Sequence, residues 1–551
     1  MTDLRPYLLL TLFCLVLYVP ALTALPPLDR DEARFAQATK QMLETGDFID
    51  IRFQDSPRHK KPAGAYWLQA VSVTILAGDD RAAIWAYRVP SAVAAWAAVL
   101  LTFAAGARLF DRNTALLGAA MLASSLMLVL EAHQAKTDAI LLATVVAAQA
   151  VLARLYTRHW EAPLDQTPPP LHWGWAMTFW AAQGVGILVK GPITPMVSAL
   201  TVIALCIVDR RVGWLRGLRP LTGLPLAAII ALPWFVAVSL VSDGDFFAGS
   251  VGHDLLPKLM SGQESHGAPP GYFTLLMVAF FWPASLFAWP AVVAAWRQWG
   301  TPGMRFALAW LVPAWLVFEA VPTKLPHYVL PLYPALALIT AEAVWRAVTG
   351  GPSNLGARWS RVSYLIWGAL GVVLAVGAIA VPIALGDGIA PWSLLPAALA
   401  LIAGFLPPWL ARQGRFFAAA GVAIIAGGAA LTATLDRVMP RADAMWLSRG
   451  VAEVVRTEAP DRLDPVIAAG FHEPSLIFLL GTDTVLTDGP GAAAMLLAEA
   501  GRIAVVSSRE EERFREHLGA ESDRVEQVDV VSGVNYSRGR TLDLRLYWSV
   551  P

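Results

Sequence analysis

Thirteen long apolar stretches occupy the first 435 residues, and the charges fall almost wholly between them. The stretches lie at 7–25, 89–107, 113–132, 137–153, 173–189, 192–208, 220–241, 271–294, 304–321, 327–345, 362–383, 391–410 and 416–435. A helix needs about 20 apolar residues to cross the hydrocarbon layer. Backbone in lipid must satisfy its own hydrogen bonds, which leaves helices as the solution for such segments. The expectation is a polytopic α-helical membrane protein of about 13 transmembrane helices. Only 15% of residues are charged, well under the roughly 25% of soluble domains. The net charge is zero, which gives nucleic acid no electrostatic hold. Cys14 and Cys206 sit in separate apolar stretches, so neither a disulfide framework nor a cysteine metal site is read from them. The first stretch lacks a basic leader beyond Arg5 and is read as an uncleaved span.

Arginines mark one face. Short loops carry Arg108 and Arg112, Arg154 and Arg158, Arg210 to Arg219, Arg297, Arg346 to Arg361, and Arg412 with Arg415. Short loops rich in arginine are cytoplasmic. Strict alternation then places the amino terminus inside. Residues 26–88, 133–138, 190–191, 242–270, 323–327 and the tail from 436 fall outside, and the unusual charged motifs fall there with them.

Leu28-Asp29-Arg30-Asp31-Glu32-Ala33-Arg34 opens the first outer loop. A helix is expected over 32–45, stopped by Gly46, with Asp31 placed to cap it. Asp31 and Arg34 are three apart and can face one cavity; a cap with a surface ion pair is the plainer alternative. Arg58-His59-Lys60-Lys61-Pro62 precedes a second amphipathic helix at 63–76 that carries Tyr66 and Trp67. Such cations suit a phosphate at headgroup level, or serve as interface anchors. Asp138 caps the next span or points into the outer cavity. Lys190, before Gly191-Pro192, and Lys324-Leu325-Pro326-His327-Tyr328 stand at proline-marked bends that either line a cavity or let the lysines snorkel. The loop 242–270 holds His253, Asp254, Lys258, Glu264 and His266 without close metal-ligand spacing; a divalent metal stays open, with no ligand set assigned.

Carboxylates and cations on one face suit transfer of a sugar from a lipid phosphate. The departing phosphate gains negative charge, which cations stabilise, while a carboxylate activates the acceptor. A transporter of lipid-linked sugars would also need a cationic headgroup cavity, but paired repeats and midplane helix breaks are not evident.

These blocks, with Tyr87-Arg88-Val89-Pro90-Ser91 and Pro331 to Pro334, resemble the polyprenyl-phosphate-sugar-dependent glycosyltransferases of the GT-C class. The nearest likeness is to the branch of bacterial lipid A aminoarabinose transferase and the protein O-mannosyltransferases. The resemblance covers about the first 435 residues. It implies a membrane catalytic domain at 1–435 in a bacterial inner membrane, a sugar donor on undecaprenyl or a related polyprenyl phosphate, inverting transfer, and a lipid acceptor, lipid A ahead of protein. It implies Asp31 acting on the acceptor, Asp138 as a second acidic position, and Arg34 and Lys61 on the donor phosphate. Arg58, Lys60, Tyr66, Arg88, Lys190, Lys324 and Tyr328 join as substrate contacts, and His253, Glu264 and His266 form a candidate acceptor loop. Relatives often carry Glu where this chain has Lys60. A monomer among membrane lipids is expected.

The tail, 436–551, turns more polar. Strands are expected at 466–470, 475–480, 503–506, 525–531 and 542–548, with helices at 492–500 and 509–518. This is a small periplasmic α/β domain, in which Gly470-Phe471-His472-Glu473-Pro474 is a turn or a functional loop.

Overall fold

The computed structural model describes residues 3–161, 172–255, 257, 267–351, 355, 360–384, 388–458, 460 and 462–549. Every one of the thirteen apolar stretches is helical over most of its length. The chain opens with α1 (Arg5–Tyr18), α2 (Asp31–Thr45), α3 (Gly64–Leu76) and α4 (Ile84–Leu109). Next come α5 (Arg112–Ala123), α6 (Leu126–Ala132), α7 (Asp138–Glu161), α8 (Trp173–Lys190), α9 (Ile193–Asp209) and α10 (Pro220–Val241).

The count of thirteen spans is not confirmed. Among the described residues eight helices are long and apolar enough to cross a membrane, or nine if the pair α5 and α6, bent by 61°, makes one span. Three of the other four stretches fall short singly. The helices α1 and α9 have 14 and 17 residues, and α8 is diluted by Trp173, Gln183 and Lys190. The fourth, 271–294, breaks between Tyr272–Phe280 and Ser285–Trp296. Apolar length in the sequence did not reveal these breaks. Leu221, Ile229 and Leu240 on α10 are largely exposed, as lipid-facing side chains are in a multi-pass membrane protein.

One buried ion pair ties the start of the chain together. Arg88 on α4 and Glu32 on α2 both have fully buried side chains. Arg88 donates from Nε and Nη2 to Glu32 at 2.8 Å each. Its other N–H groups go to the carbonyls of Leu22, Leu25 and Pro26 at 2.7 to 2.9 Å. Glu32 also accepts from the amides of Leu28 and Ala135 at 2.8 Å. All five guanidinium donors and both carboxylate oxygens are thereby used.

The carboxy-terminal part is a five-stranded sheet with helices on both faces. Its strands follow a small hairpin of β1 (Arg52–Phe53) and β2 (Ser56–Pro57). They are β3 (Leu463–Ala469), β4 (Val485–Thr487), β5 (Arg502–Ser507), β6 (Val525–Asn535) and β7 (Arg540–Ser549), ordered β4-β3-β5-β7-β6. The first three are parallel; β7 and β6 are antiparallel additions. Side chains alternate as strand geometry requires. Val466, Ala468, Ile503 and Val505 pack with Val451 and Val455, whereas Ile467, Ala469, Ala504 and Val506 pack with Leu496 and Phe514. The strand expected at 475–480 is instead the helix Pro474–Leu480. An apolar run buried on all sides carries no period that separates strand from helix; here Pro474 at the helix start decides it.

Loss of the buried arginine should be costly. Arg88→Met leaves an unpaired buried carboxylate and should lower stability by about 3–5 kcal/mol, read by chemical unfolding in detergent. Adding Glu32→Leu should not restore it, because three carbonyls and two amides remain without partners. A single variant of wild-type stability would refute this account of the region.

Candidate functional site

The outer-loop charges converge because two glycines permit close approach and a sharp turn. A Cβ on Gly64 would lie 2.8 Å from the Leu188 carbonyl oxygen, so only glycine lets the start of α3 sit against the end of α8. Gly191, at φ +65°, then ends α8 directly after Lys190. Lys61 and Lys190 are brought to one place.

Two neighbouring hollows meet there. One, of about 170 Å³, is lined by Lys61, Asp138, Lys190, His327, Tyr328 and apolar residues that include Phe318. The other, of about 340 Å³, has Lys60, Lys61 and Lys190 at its polar end and Phe235, Phe246 and Phe247 along its apolar walls. Lys61, Lys190 and Pro192 line both. The pair therefore offers a charged chamber opening into a greasy groove, with cations at the junction.

Asp138 begins α7 and is buried. Lys190 Nζ donates to its Oδ1 at 2.5 Å, and His327 Nε2 stands 3.8 Å from the same oxygen. Lys190 also lies over the Tyr328 ring at 5.4 Å. Behind them Lys136 pairs with Glu131 at 2.9 Å. Burial alone would lower the Lys136 pKa, but Glu131, Asp138 and Asp31 outweigh it and hold the ammonium above its ordinary value.

Asp31 and Arg34 lie one turn apart on α2. Asp31 is exposed and does not cap the helix; Arg30, at φ 68°, occupies the cap position without a side-chain bond. The charge of Asp31 bears on Lys136, His327 and Tyr66, so it lies near this chamber, although it is not among the residues that line either hollow. Neither the Asp31 nor the Arg34 side chain makes a hydrogen bond or ion pair among the described residues.

Other expected contacts lie elsewhere. Arg88 cannot meet a phosphate: it is fully buried and every donor is engaged. Tyr66 is also fully buried and accepts from Arg58 Nε at 3.0 Å, while the Arg58 guanidinium stacks 5.1 Å from Phe35. Tyr66 thus holds Arg58 rather than lining the cavity. Lys324 is buried and donates to the Val321 carbonyl at 2.5 Å. Glu264 and His266 lie outside the described residues, as does the side chain of His253. Among the described residues no three His, Cys, Asp or Glu side chains gather as a metal would need. His327 and Lys136 were present in the motifs of the sequence, but only folding shows them facing Asp138.

The carboxy-terminal sheet docks on the loop that carries Asp31. The Asp29 amide donates to the Tyr536 hydroxyl at 2.7 Å, and its carboxylate accepts from the Ser475 hydroxyl. Arg30 donates to the Ser537 carbonyl at 2.7 Å. Further along α2, Gln37 bonds to Thr482 at 2.7 Å and Lys40 to the Phe478 carbonyl at 3.1 Å. Burial pushes the Asp29 carboxyl up to about 6, with Glu473 adding to the shift and the Ser475 hydrogen bonds and Arg30 opposing it.

Known proteins resemble this chain in sequence and fold. The family model for dolichyl-phosphate-mannose-protein mannosyltransferases matches residues 60–236, a stretch that includes Lys61, Asp138 and Lys190. An undecaprenyl phosphate-alpha-4-amino-4-deoxy-L-arabinose arabinosyl transferase of Pseudomonas fluorescens is 28% identical over 63% of this chain and 60% of its own length. One from Erwinia tasmaniensis is 26% identical over 77% and 73%. A second from Pseudomonas fluorescens is 26% identical over 57% and 53%. The chain thus spans between 53% and 73% of these three relatives. Among solved structures, ArnT of Cupriavidus metallidurans bound to undecaprenyl phosphate superposes with a TM-score of 0.72 at 20% identity, over 98% of this chain and 97% of that one. The Archaeoglobus fulgidus oligosaccharyltransferase follows at 0.56 and 12% identity, over 92% and 69%. The ArnT likeness extends through the carboxy-terminal sheet.

The Asp29 contact predicts a pH dependence. A carboxyl raised in the folded state binds its proton more tightly there than in the unfolded chain. Its stabilising contribution is complete below the ordinary carboxylate range and is lost as pH rises through about 6. Hydrogen exchange of Pro474–Leu480 should therefore be slower at pH 5 than at pH 7.5, after correction for intrinsic rates. Asp29→Asn should flatten that difference; an unchanged slope in the variant would exclude Asp29 as its origin.

Proposed function

We propose that this chain, an ArnT-like glycosyltransferase of the GT-C fold related to the protein mannosyltransferases, moves a sugar from a polyprenyl phosphate to a lipid acceptor, which we take to be lipid A. The reaction is placed at the periplasmic face of a bacterial inner membrane, with the amino terminus in the cytoplasm. Residues 1–435 form the catalytic membrane unit and 436–551 the periplasmic domain.

The observation that carries this reading is the junction of the two hollows. A polyprenyl phosphate needs an apolar channel for its chain and cations at one end for its head. Phe235, Phe246 and Phe247 suit the chain, while Lys61 and Lys190 suit the phosphate. As the sugar–phosphate bond breaks, negative charge grows on the phosphate oxygens. Cations already held in place stabilise that charge without reorganisation. Arg34 adds a guanidinium from the α2 side.

Asp138 acts by holding Lys190, since Oδ1 already accepts from the ammonium at 2.5 Å. Asp31, exposed on the rim, orients the acceptor oxygen or removes its proton. Attack from the face opposite the phosphate gives inversion. The arabinosyl transferases named above bear on the choice of a lipid donor, and the sugar itself is left open by the residues.

The test uses purified protein, a set of polyprenyl phosphosugars and lipid A, with product followed by mass. Asp31→Asn should lower kcat at least about a hundredfold, as expected for loss of a positioned acid–base group. Lys61→Ala should lower it by about ten- to a hundredfold, with both variants melting like the wild type. Wild-type turnover in both would remove the roles assigned to them, and transport of donor without transfer to any acceptor would overturn the activity.

A further inference from the structure

A hollow of about 860 Å³ lies between the membrane helices Ser360–Ala384 and Pro391–Arg412. It is remote from the catalytic chamber. The helix Tyr333–Val348 starts beside His327 and Tyr328 and runs for 16 residues, about 24 Å, toward the other face. The chain turns there and enters Ser360–Ala384, so Arg361 and Arg412 belong to the face opposite the chamber. Glycines set the seam between the two helices. A Cβ on Gly371 would lie 2.6 Å from the Gly404 Cα, so the backbones meet directly. Gly368 and Gly404 line the hollow and add no side chain to fill it.

The length of the hollow narrows the choice of occupant. It extends from Tyr364 to Val372 on one helix and from Leu401 to Arg412 on the other, about 12 and about 16 Å by helical rise. The hydrocarbon core is about 30 Å thick, so the hollow is one leaflet deep. A partner helix that crossed the membrane would need a groove through both leaflets, whereas one lipid would not. Leu365, Phe405 and Trp409 line the hollow and are largely exposed, as walls for acyl chains.

Its open end carries unbalanced positive charge. Arg412 lines the hollow. Arg361 lies one turn before Tyr364 and Leu365, on the same helix face, and Arg415 follows Arg412 by three residues. No acid stands between Glu342 and Asp387 or between Asp387 and Asp436, and Asp387 follows the opposite end of its helix. Among the described residues the side chains of Arg361, Arg412 and Arg415 make no hydrogen bond or ion pair. The Tyr364 hydroxyl is committed elsewhere, donating to the Leu355 carbonyl at 3.0 Å. We propose that this groove binds one anionic glycerophospholipid of the cytoplasmic leaflet, its headgroup phosphate at Arg361 and Arg412 and its acyl chains against Leu365, Phe405 and Trp409. Any bilayer lipid can cover the walls; the arginines select for charge. The leaflet follows from the orientation proposed above, and the site is independent of the transfer reaction.

Native mass spectrometry of the full chain tests this, with phosphatidylglycerol or phosphatidylethanolamine titrated into the detergent. The wild type should hold one phosphatidylglycerol about tenfold more tightly than phosphatidylethanolamine, the scale expected for two cations on an anionic headgroup. Arg361→Gln/Arg412→Gln should lose that preference, and Arg361→Lys/Arg412→Lys should keep most of it. Ala369→Trp, which fills the groove and spares the arginines, should weaken binding of both lipids. Phosphatidylglycerol should also raise the melting temperature of the wild type, since a ligand bound to the folded state stabilises it by mass action, and should not raise that of Ala369→Trp. Equal affinity of the wild type for both lipids, or a preference retained in the glutamine variant, would overturn the site. A dimer that forms in place of the lipid complex and is lost in Ala369→Trp would assign the groove to a second copy of the chain and overturn the proposal. These readings need no sugar donor, so failure of the transfer reaction would leave them unchanged.

Discussion

Glu32 and Arg88 meet with neither side chain exposed, and the outer face is arranged around them. A buried ion pair gains little net stability by itself, since desolvation offsets attraction. Its effect here is geometric. The arginine collects three carbonyls from the turn after α1, and the glutamate collects amides from Leu28 and Ala135. Four separate segments are thus held in one register. Asp31 is the residue before Glu32, and Asp138 is three residues beyond Ala135, so both acids inherit their positions from this pair.

From that fixed point the chamber follows by packing. Gly64 draws the α3 start, with Lys61 before it, against α8, and Gly191 ends α8 at Lys190. The lysine then finds Asp138. Docking of the carboxy-terminal sheet closes the opposite side of α2 through Asp29, Arg30, Gln37 and Lys40. The helix that carries Asp31 is consequently gripped from the membrane core and from the sheet.

Much of this was legible in the sequence because each helix and each charged block is local. Apolar runs reported helices, and glycine and proline beside Lys190 reported a bend. What could not be read was which charges spend themselves on each other. Arg88 looks like a phosphate ligand until Glu32, fifty-six positions away, is seen to consume it. Lys324 and Tyr66 likewise turn inward, whereas His327 and Lys136 turn toward Asp138. Pairing across such separations leaves no periodic trace. The span count is unconfirmed for a related reason: a bend between α5 and α6 or a break near residue 281 costs little hydropathy. In the tail, the run 475–480 was too uniformly apolar to betray its helix.

The central claim is that a polyprenyl phosphate lies with its head at the lysine junction and its chain in the phenylalanine-lined groove. A structure of this chain with undecaprenyl phosphate bound tests it most directly. The account predicts phosphate oxygens within hydrogen-bond distance of Lys61 and Lys190, and prenyl density running past Phe235 and Phe247. A phosphate seated away from both lysines, with the groove left to other lipid, would contradict it.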